Sequence, residues 1–328
     1  MQYIKNKIGF CIIIFLTLGI IFGLVIGFYF WRNKVNSVST LVTVTSPDTV
    51  NNARFLNPAV ISNSNKYFII NFQPLREKFI EIQKKYPQKT YIYFNYLNNS
   101  SWVGLNEKDM FSAASTVKVP LAMSIYKLIE DKKLKESDSY ALNEEDLDNG
   151  FGDLYKVGAG KSFTIEGLLK IMLEKSDNTA ELSLYRILRL NGISDPFSTV
   201  YNYMGWEGYT DMGTAPSYID INLKTLSNMF ISLYNADYVN PDNSAKILEY
   251  LDNSPFDDKI VAGLPTNIPV AHKIGIMATG RVYSDCGIVY VPNRNYLLCL
   301  GSSDADEATA NEFMKEISAV TYEFVSSN

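Results

Sequence analysis

The sequence predicts an α/β protein: a five-stranded antiparallel sheet flanked by terminal helices, an all-α subdomain inserted between its strands, and one N-terminal transmembrane helix in front. Three observations predict this. A helical period from Pro74 is followed by two alternating strands up to Leu105. Helical periods then fill the middle of the chain. Three further strands, at 268–276, 283–291 and 295–302, lead into a closing helix. Two layers around one sheet accommodate that order.

The first element stands apart. Ile8 to Trp31 carries no charge and is long enough for a bilayer, which about 20 residues cross. A cleaved signal peptide has a shorter apolar region followed by small residues. Here the run closes on Phe28-Tyr29-Phe30-Trp31, an aromatic belt suited to the membrane interface. Residues 1–34 are therefore read as a retained anchor, with Cys11 as a lipid-facing apolar residue. Lys5 and Lys7 on one side nearly balance Arg32 and Lys34 on the other, so flanking charge leaves the orientation open. Residues 35–66, rich in Ser, Thr, Asn and Val without helical period, read as a tether with little fold of its own.

The folded domain is placed at 67–328. Pro74 suits a first helical turn, and Leu75, Phe79, Ile82 and Tyr86 recur at helical spacing until Pro87. Tyr91, Tyr93 and Asn95 alternate with Ile92, Phe94 and Tyr96, and Trp102 to Leu105 follow the turn Asn98-Asn99-Ser100, giving a hairpin. Leu121, Ile125, Leu128 and Ile129 mark one helix; Ile165, Leu168, Leu169 and Met172 a second; Leu226, Met229, Phe230 and Leu233 a third. Phe313, Ile317, Val320 and Phe324 define the closing helix, whose start carries Asp304, Asp306 and Glu307, favourable at a positive helix end.

Composition excludes some functions. With 47% hydrophobic and 20% charged residues the chain can build a sizeable core, and a net charge of −5 argues against a nucleic-acid partner. One histidine and three scattered cysteines give no zinc spacing, so no metal and no cofactor is expected. Cys286 and Cys299 fall on successive strands joined by Pro292-Asn293-Arg294-Asn295. If Val291 pairs with Tyr296, Cys286 faces Gly301 and Cys299 lies diagonal to it. A disulfide needs Cα atoms within about 7 Å, so two buried thiols are the expectation.

Three motifs carry chemistry: Ser115-Thr116-Val117-Lys118, Ser176-Asp177-Asn178 and Lys273-Ile274-Gly275. A serine hydroxyl is a poor nucleophile unless something takes its proton. On a helix Ser115 and Lys118 share one face, and Lys118 serves as base if burial and a second positive charge, from Lys273, depress its pKa from about 10.4. Ser176-Asp177-Asn178 also reads as an N-cap. Gly275, on a strand, admits close backbone approach, and the N–H of Ile276 is expected to join that of Ser115 as an oxyanion hole. Arg281 is a second carboxylate-binding candidate, with a solvated loop arginine as the competing reading. His272 alternates away from Lys273 and is read as packing.

Together and in this order the motifs resemble those of class A β-lactamases and penicillin-binding proteins, a family of penicillin-recognising serine hydrolases. The resemblance covers about 67–328 and implies a β-lactamase/transpeptidase-like fold. It also implies an acyl-enzyme on Ser115, proton relay by Ser176 to the leaving nitrogen, a loop held by Asp177, substrate amide binding by Asn178, and a carboxylate-holding role for Lys273. Two departures stand out. Ile274 replaces a hydroxyl-bearing residue, which is expected to raise KM. The loop after the second motif has no E-x-x-L-N segment; Glu207 and Asp211 are its nearest carboxylates, and Glu166 precedes the motif. Fast acylation with slow release is therefore expected. The expected function is a membrane-anchored, extracytoplasmic, monomeric serine hydrolase acting on a β-lactam amide. The alternatives are a D-alanyl-D-alanine peptidase or transferase acting on peptidoglycan, and a non-catalytic protein that binds either ligand.

Overall fold

The computed structural model describes residue 55 and residues 70–193, 198–203, 220–277, 279 and 281–328. Residues 8–31 lie outside these, and among the described residues no helix is long and apolar enough to cross a membrane. Helix α1 (Gln73–Gln83) carries Pro74 in its first turn, where a missing N–H costs nothing, and buries Leu75, Phe79 and Ile82. It ends before Tyr86, which lies beyond the following turn. Strands β1 (Lys89–Tyr96) and β2 (Ser101–Leu105) form the expected hairpin, with Tyr96 opposite Ser101.

The insertion opens with β3 (Phe111–Ser112), a 3-10 turn (Ala114–Val117) and α2 (Lys118–Glu130). A small ribbon of β4 (Ser139–Ala141) and β5 (Ser162–Thr164) precedes α3 (Ile165–Lys175) and α4 (Asn178–Leu190). There follow α5 (Ser198–Tyr203), β6 (Asp220–Ile221), α6 (Leu223–Asn235) and α7 (Pro241–Asp252). The last helix was not anticipated, although its start is marked: Asn240 accepts from the N–H of Asn243 and Pro241 takes the first position. The chain closes with β7 (Val270–Met277), β8 (Val282–Val289), β9 (Tyr296–Ser303) and α8 (Glu307–Ser327), capped by Asp306.

The five-stranded sheet runs β2-β1-β9-β8-β7, with every neighbouring pair antiparallel. Side-chain alternation divides it into two faces. Ile92, Phe94, Leu298, Leu300 and Val270 face α1 and α8. Tyr91, Tyr93, Leu297, Ile288 and Ala271 face the inserted helices. The site lies where β7, an edge strand, meets that insertion.

Two expectations are corrected. Val289, not Val291, pairs with Tyr296, so the β8–β9 connection is two residues longer than the Pro-Asn-Arg-Asn turn suggested. This register sets Cys286 directly opposite Cys299, Cα atoms 3.9 Å apart, and the two are joined as a disulfide. The tether also contributes to the fold: Phe55 is buried, its ring meets that of Tyr290 edge-on at 5.4 Å, and its carbonyl accepts from the Tyr290 hydroxyl at 2.9 Å.

Candidate active site

Ser115 sits half-buried in the 3-10 turn, immediately after Ala114, whose φ of 44° is costly for a residue with a Cβ. That turn hands over to α2 at Lys118, so the serine and the lysine remain one turn apart. Lys118 is fully buried. Its Nζ donates to Ser115 Oγ at 3.0 Å, to Ser176 O at 2.6 Å and to Asn178 Oδ1 at 2.8 Å, with Ser176 Oγ at 3.4 Å.

Ser176 is the left-handed residue (φ 57°) that ends α3 and turns the chain into α4. Asp177 is the N-cap of α4: one carboxylate oxygen accepts from Ala180 N at 2.9 Å and the other from Leu154 N at 2.8 Å. The loop before Leu154 is fitted to this carboxylate, since a Cβ on Gly152 (φ 88°) would lie 2.1 Å from Asp177 Oδ2. Asn178 uses both ends of its amide, accepting from Lys118 and donating to Asp148 Oδ1 at 2.9 Å.

Lys273 and Gly275 share the face of β7 turned to the insertion, while His272 and Ile274 share the other. Lys273 Nζ donates to Ser176 Oγ at 2.7 Å and to Ile274 O at 3.1 Å. Burial, first, and the neighbouring charge of Lys118, second, hold the Lys273 amine well below the ordinary lysine range, against the opposing pull of Glu181 and Asp285. His272 Nδ1 pairs with Asp285 Oδ1 at 2.8 Å, away from the serines.

The outer edge of β7 faces the serine turn. Tyr290 N donates to Pro269 O across the ladder, whereas Val270 N turns outward to Asp252. Unbroken alternation to Met277 therefore directs the backbone N–H of Ile276 outward as well. Gly275 has a packing reason for its size, since a Cβ there would lie 2.9 Å from Ala113 O and 2.5 Å from Ser284 Oγ. Strand and serine turn are pressed together at that point.

Arg281 is the expected residue that these contacts do not bring in. At φ 51° in the β7–β8 turn, it directs its Nε to Ala305 O at 2.9 Å, near the start of α8. Glu166 is engaged elsewhere too, accepting from Tyr250 OH at 3.2 Å. Glu207 and Asp211 lie outside the described residues. A carboxylate nevertheless reaches the cluster. Glu181, on α4, places Oε2 3.2 Å from Lys118 Nζ. The signal for it was its place three residues after Asn178, which puts both on one face of α4.

This fold and this cluster define a serine hydrolase-like protein with the β-lactamase/transpeptidase-like α/β architecture. The chain belongs to the β-lactamase enzyme family, whose model matches residues 74–325. Among solved structures it is similar to PBP-A, with a TM-score of 0.71 and 18% identity over 78% of this chain and 97% of that one. A β-lactamase from Xanthomonas campestris pv. campestris gives a TM-score of 0.68 and 18% identity over 78% of this chain and all (100%) of that one. One from Sphaerobacter thermophilus gives 0.69 and 19%, over 79% and 99%. At such identities the likeness is one of fold. Among curated protein sequences none matches.

Proposed function

We propose that the chain is a serine β-lactamase-like hydrolase that opens a β-lactam amide through an acyl-enzyme on Ser115. The observation that carries the reading is the pair of lysines around two serines: Lys118 Nζ 3.0 Å from Ser115 Oγ and Lys273 Nζ 2.7 Å from Ser176 Oγ. Ser115 Oγ attacks the amide carbonyl and its proton passes to Lys118. The oxyanion is held by the N–H groups of Ser115 and Ile276. As the C–N bond breaks, Ser176 gives its proton to the leaving nitrogen and is reprotonated from Lys118, 3.4 Å away. Lys273 orients Ser176 and offers an N–H donor to the substrate carboxylate. Asn178, held by Lys118 and Asp148, lines the amide side of the site.

The reading is tested by exposure to a penicillin, with hydrolysis followed in solution and the protein weighed intact. Hydrolysis or an adduct with the wild type, both absent from Ser115→Ala, is expected. Neither hydrolysis nor an adduct with the wild type, or equal labelling of the variant, overturns it; rapid turnover of a D-alanyl peptide without penicillin hydrolysis would reassign the substrate to peptidoglycan. Residues 8–31 would anchor the domain outside the cytoplasm. Full-length protein should then stay with membranes through a high-salt wash, and external protease should cut the segment at 35–66.

A further inference from the structure

We infer that Glu181 is the general base of deacylation, activating the water that releases the acyl group from Ser115. This rests on the acyl-enzyme reading above and deepens it. Glu181 is 6% exposed, a burial that carboxylates accept only with partners. Oε2 is committed to Lys118 Nζ at 3.2 Å. Oε1 is buried and has no hydrogen-bond partner among the described residues. A buried acceptor with unfilled capacity beside the nucleophile's own lysine calls for a small donor, and water fits.

Position supports the assignment. α4 starts at Asn178, and Asn178 and Glu181 reach the same Nζ from one helical face. That Nζ is in turn 3.0 Å from Ser115 Oγ, so the carboxylate, the amine and the acylated oxygen are consecutive. The carboxylate is held on a helix whose N-cap is tied down by Asp177, a rigid mount for a base.

The step balances with water as the only co-reactant. Glu181 takes one proton from water as the water oxygen bonds to the ester carbonyl carbon. The tetrahedral intermediate collapses, and the bond between that carbon and Ser115 Oγ breaks. Glu181 passes the water's proton to the Lys118 amine, which gives one to Oγ. The free acid leaves, and enzyme charge is restored. On this reading turnover proceeds without accumulation, where the missing E-x-x-L-N segment leads to an expectation of slow release.

The test is stopped-flow hydrolysis of a chromogenic cephalosporin by the full-length protein, with quenched samples weighed intact. Wild type should turn over steadily with no persistent adduct. Glu181→Gln keeps the shape but cannot take a proton, and acylation, in which Lys118 takes the Ser115 proton, does not use it. Acylation should therefore stay within about tenfold, while release falls by about 10²–10⁴-fold, the usual worth of a general base. A one-equivalent burst and a lasting Ser115 adduct would be seen. Glu181→Asp should recover part of the release rate, which keeps the test decisive if Glu181→Gln folds poorly. Release unchanged in Glu181→Gln, or acylation and release lost in equal proportion, would overturn the assignment, the latter pointing to a structural hold on Lys118. A persistent adduct on wild type overturns it too. No adduct on any of the three proteins would instead remove the β-lactam reading beneath it.

Discussion

Nζ of Lys273 donates to Oγ of Ser176 at 2.7 Å across 97 residues of sequence, and it does so from a position that is almost wholly buried. The strand thereby delivers an amine to a serine that belongs to a helix junction. The contact joins the sheet to the insertion at the point where substrate must be handled.

The buried amine has a consequence for stability. Its folded-state pKa lies well below the ordinary value, so between that pKa and about 10.4 the unfolded chain binds more protons than the folded one. Stability should rise with pH through that window and be held down below it. Urea titrations from neutral pH to about 10, where free tyrosines begin to ionise, would show the rise. Lys273→Met should flatten it, with lost acylation. An unchanged slope in that variant would assign the effect to another group.

Asp177 joins the cap of α4 to the loop at Leu154. Asp177→Ala removes an N-cap worth about 1 kcal/mol and leaves the buried Leu154 N–H unpaired, about 1–3 kcal/mol more. A total loss of about 2–4 kcal/mol in chemical denaturation is expected. Gly152→Ala should fail in the same direction, because its φ of 88° and the 2.1 Å approach to Asp177 Oδ2 both oppose a Cβ. Wild-type stability in either variant would contradict the described loop.

Ala114 sets up the nucleophile at φ 44°. Ala→Gly elsewhere costs about 0.5–1 kcal/mol in regular structure. Here Ala114→Gly should be neutral or stabilising, because a Cβ in the left-handed region itself costs roughly 1–2 kcal/mol. Ala114→Val should be strongly destabilising and slow to acylate. Thermal melts of the pair decide it: a normal loss in the glycine variant would mean that the strain is not there.

Cys286 and Cys299 are both fully buried and joined. Alkylation of unfolded, unreduced protein should leave both unlabelled, and reduction should expose two thiols. With a separation of 13 residues, opening the loop should lower stability by about 2–4 kcal/mol on the chain-entropy account. Labelling without reductant would restore the reading of two free thiols.

Much of this molecule was legible before its coordinates. Alternation placed Tyr91 and Tyr93 on one sheet face and Ile92 and Phe94 on the other, as found. The three motifs converge because two of them sit at a helix start and a helix junction, and the third on the strand that borders them. What escaped was geometry that no period encodes. The β8–β9 register depended on how many residues beyond the Pro-Asn-Arg-Asn turn remained unpaired, which side-chain patterns do not count. Arg281 sits at a positive φ in a turn, a conformation that no glycine marks in the sequence at that residue. Glu181 lies on a helix, whereas the expected carboxylates, Glu207 and Asp211, lie in the loop after the second motif.

The disulfide has one further implication. Lys273 is paired with Cys286 across β7 and β8, and Cys286 with Cys299 across β8 and β9, so the bond lies one strand behind the amine that meets Ser176. A slip of β9 by two residues would set Gly301 against Cys286 and leave the sulfurs too far apart to join. Within this sheet, oxidation therefore requires the register that sets Cys286 opposite Cys299. The sealed fraction of a preparation would then report how much protein has β8 and β9 aligned, before any substrate is offered.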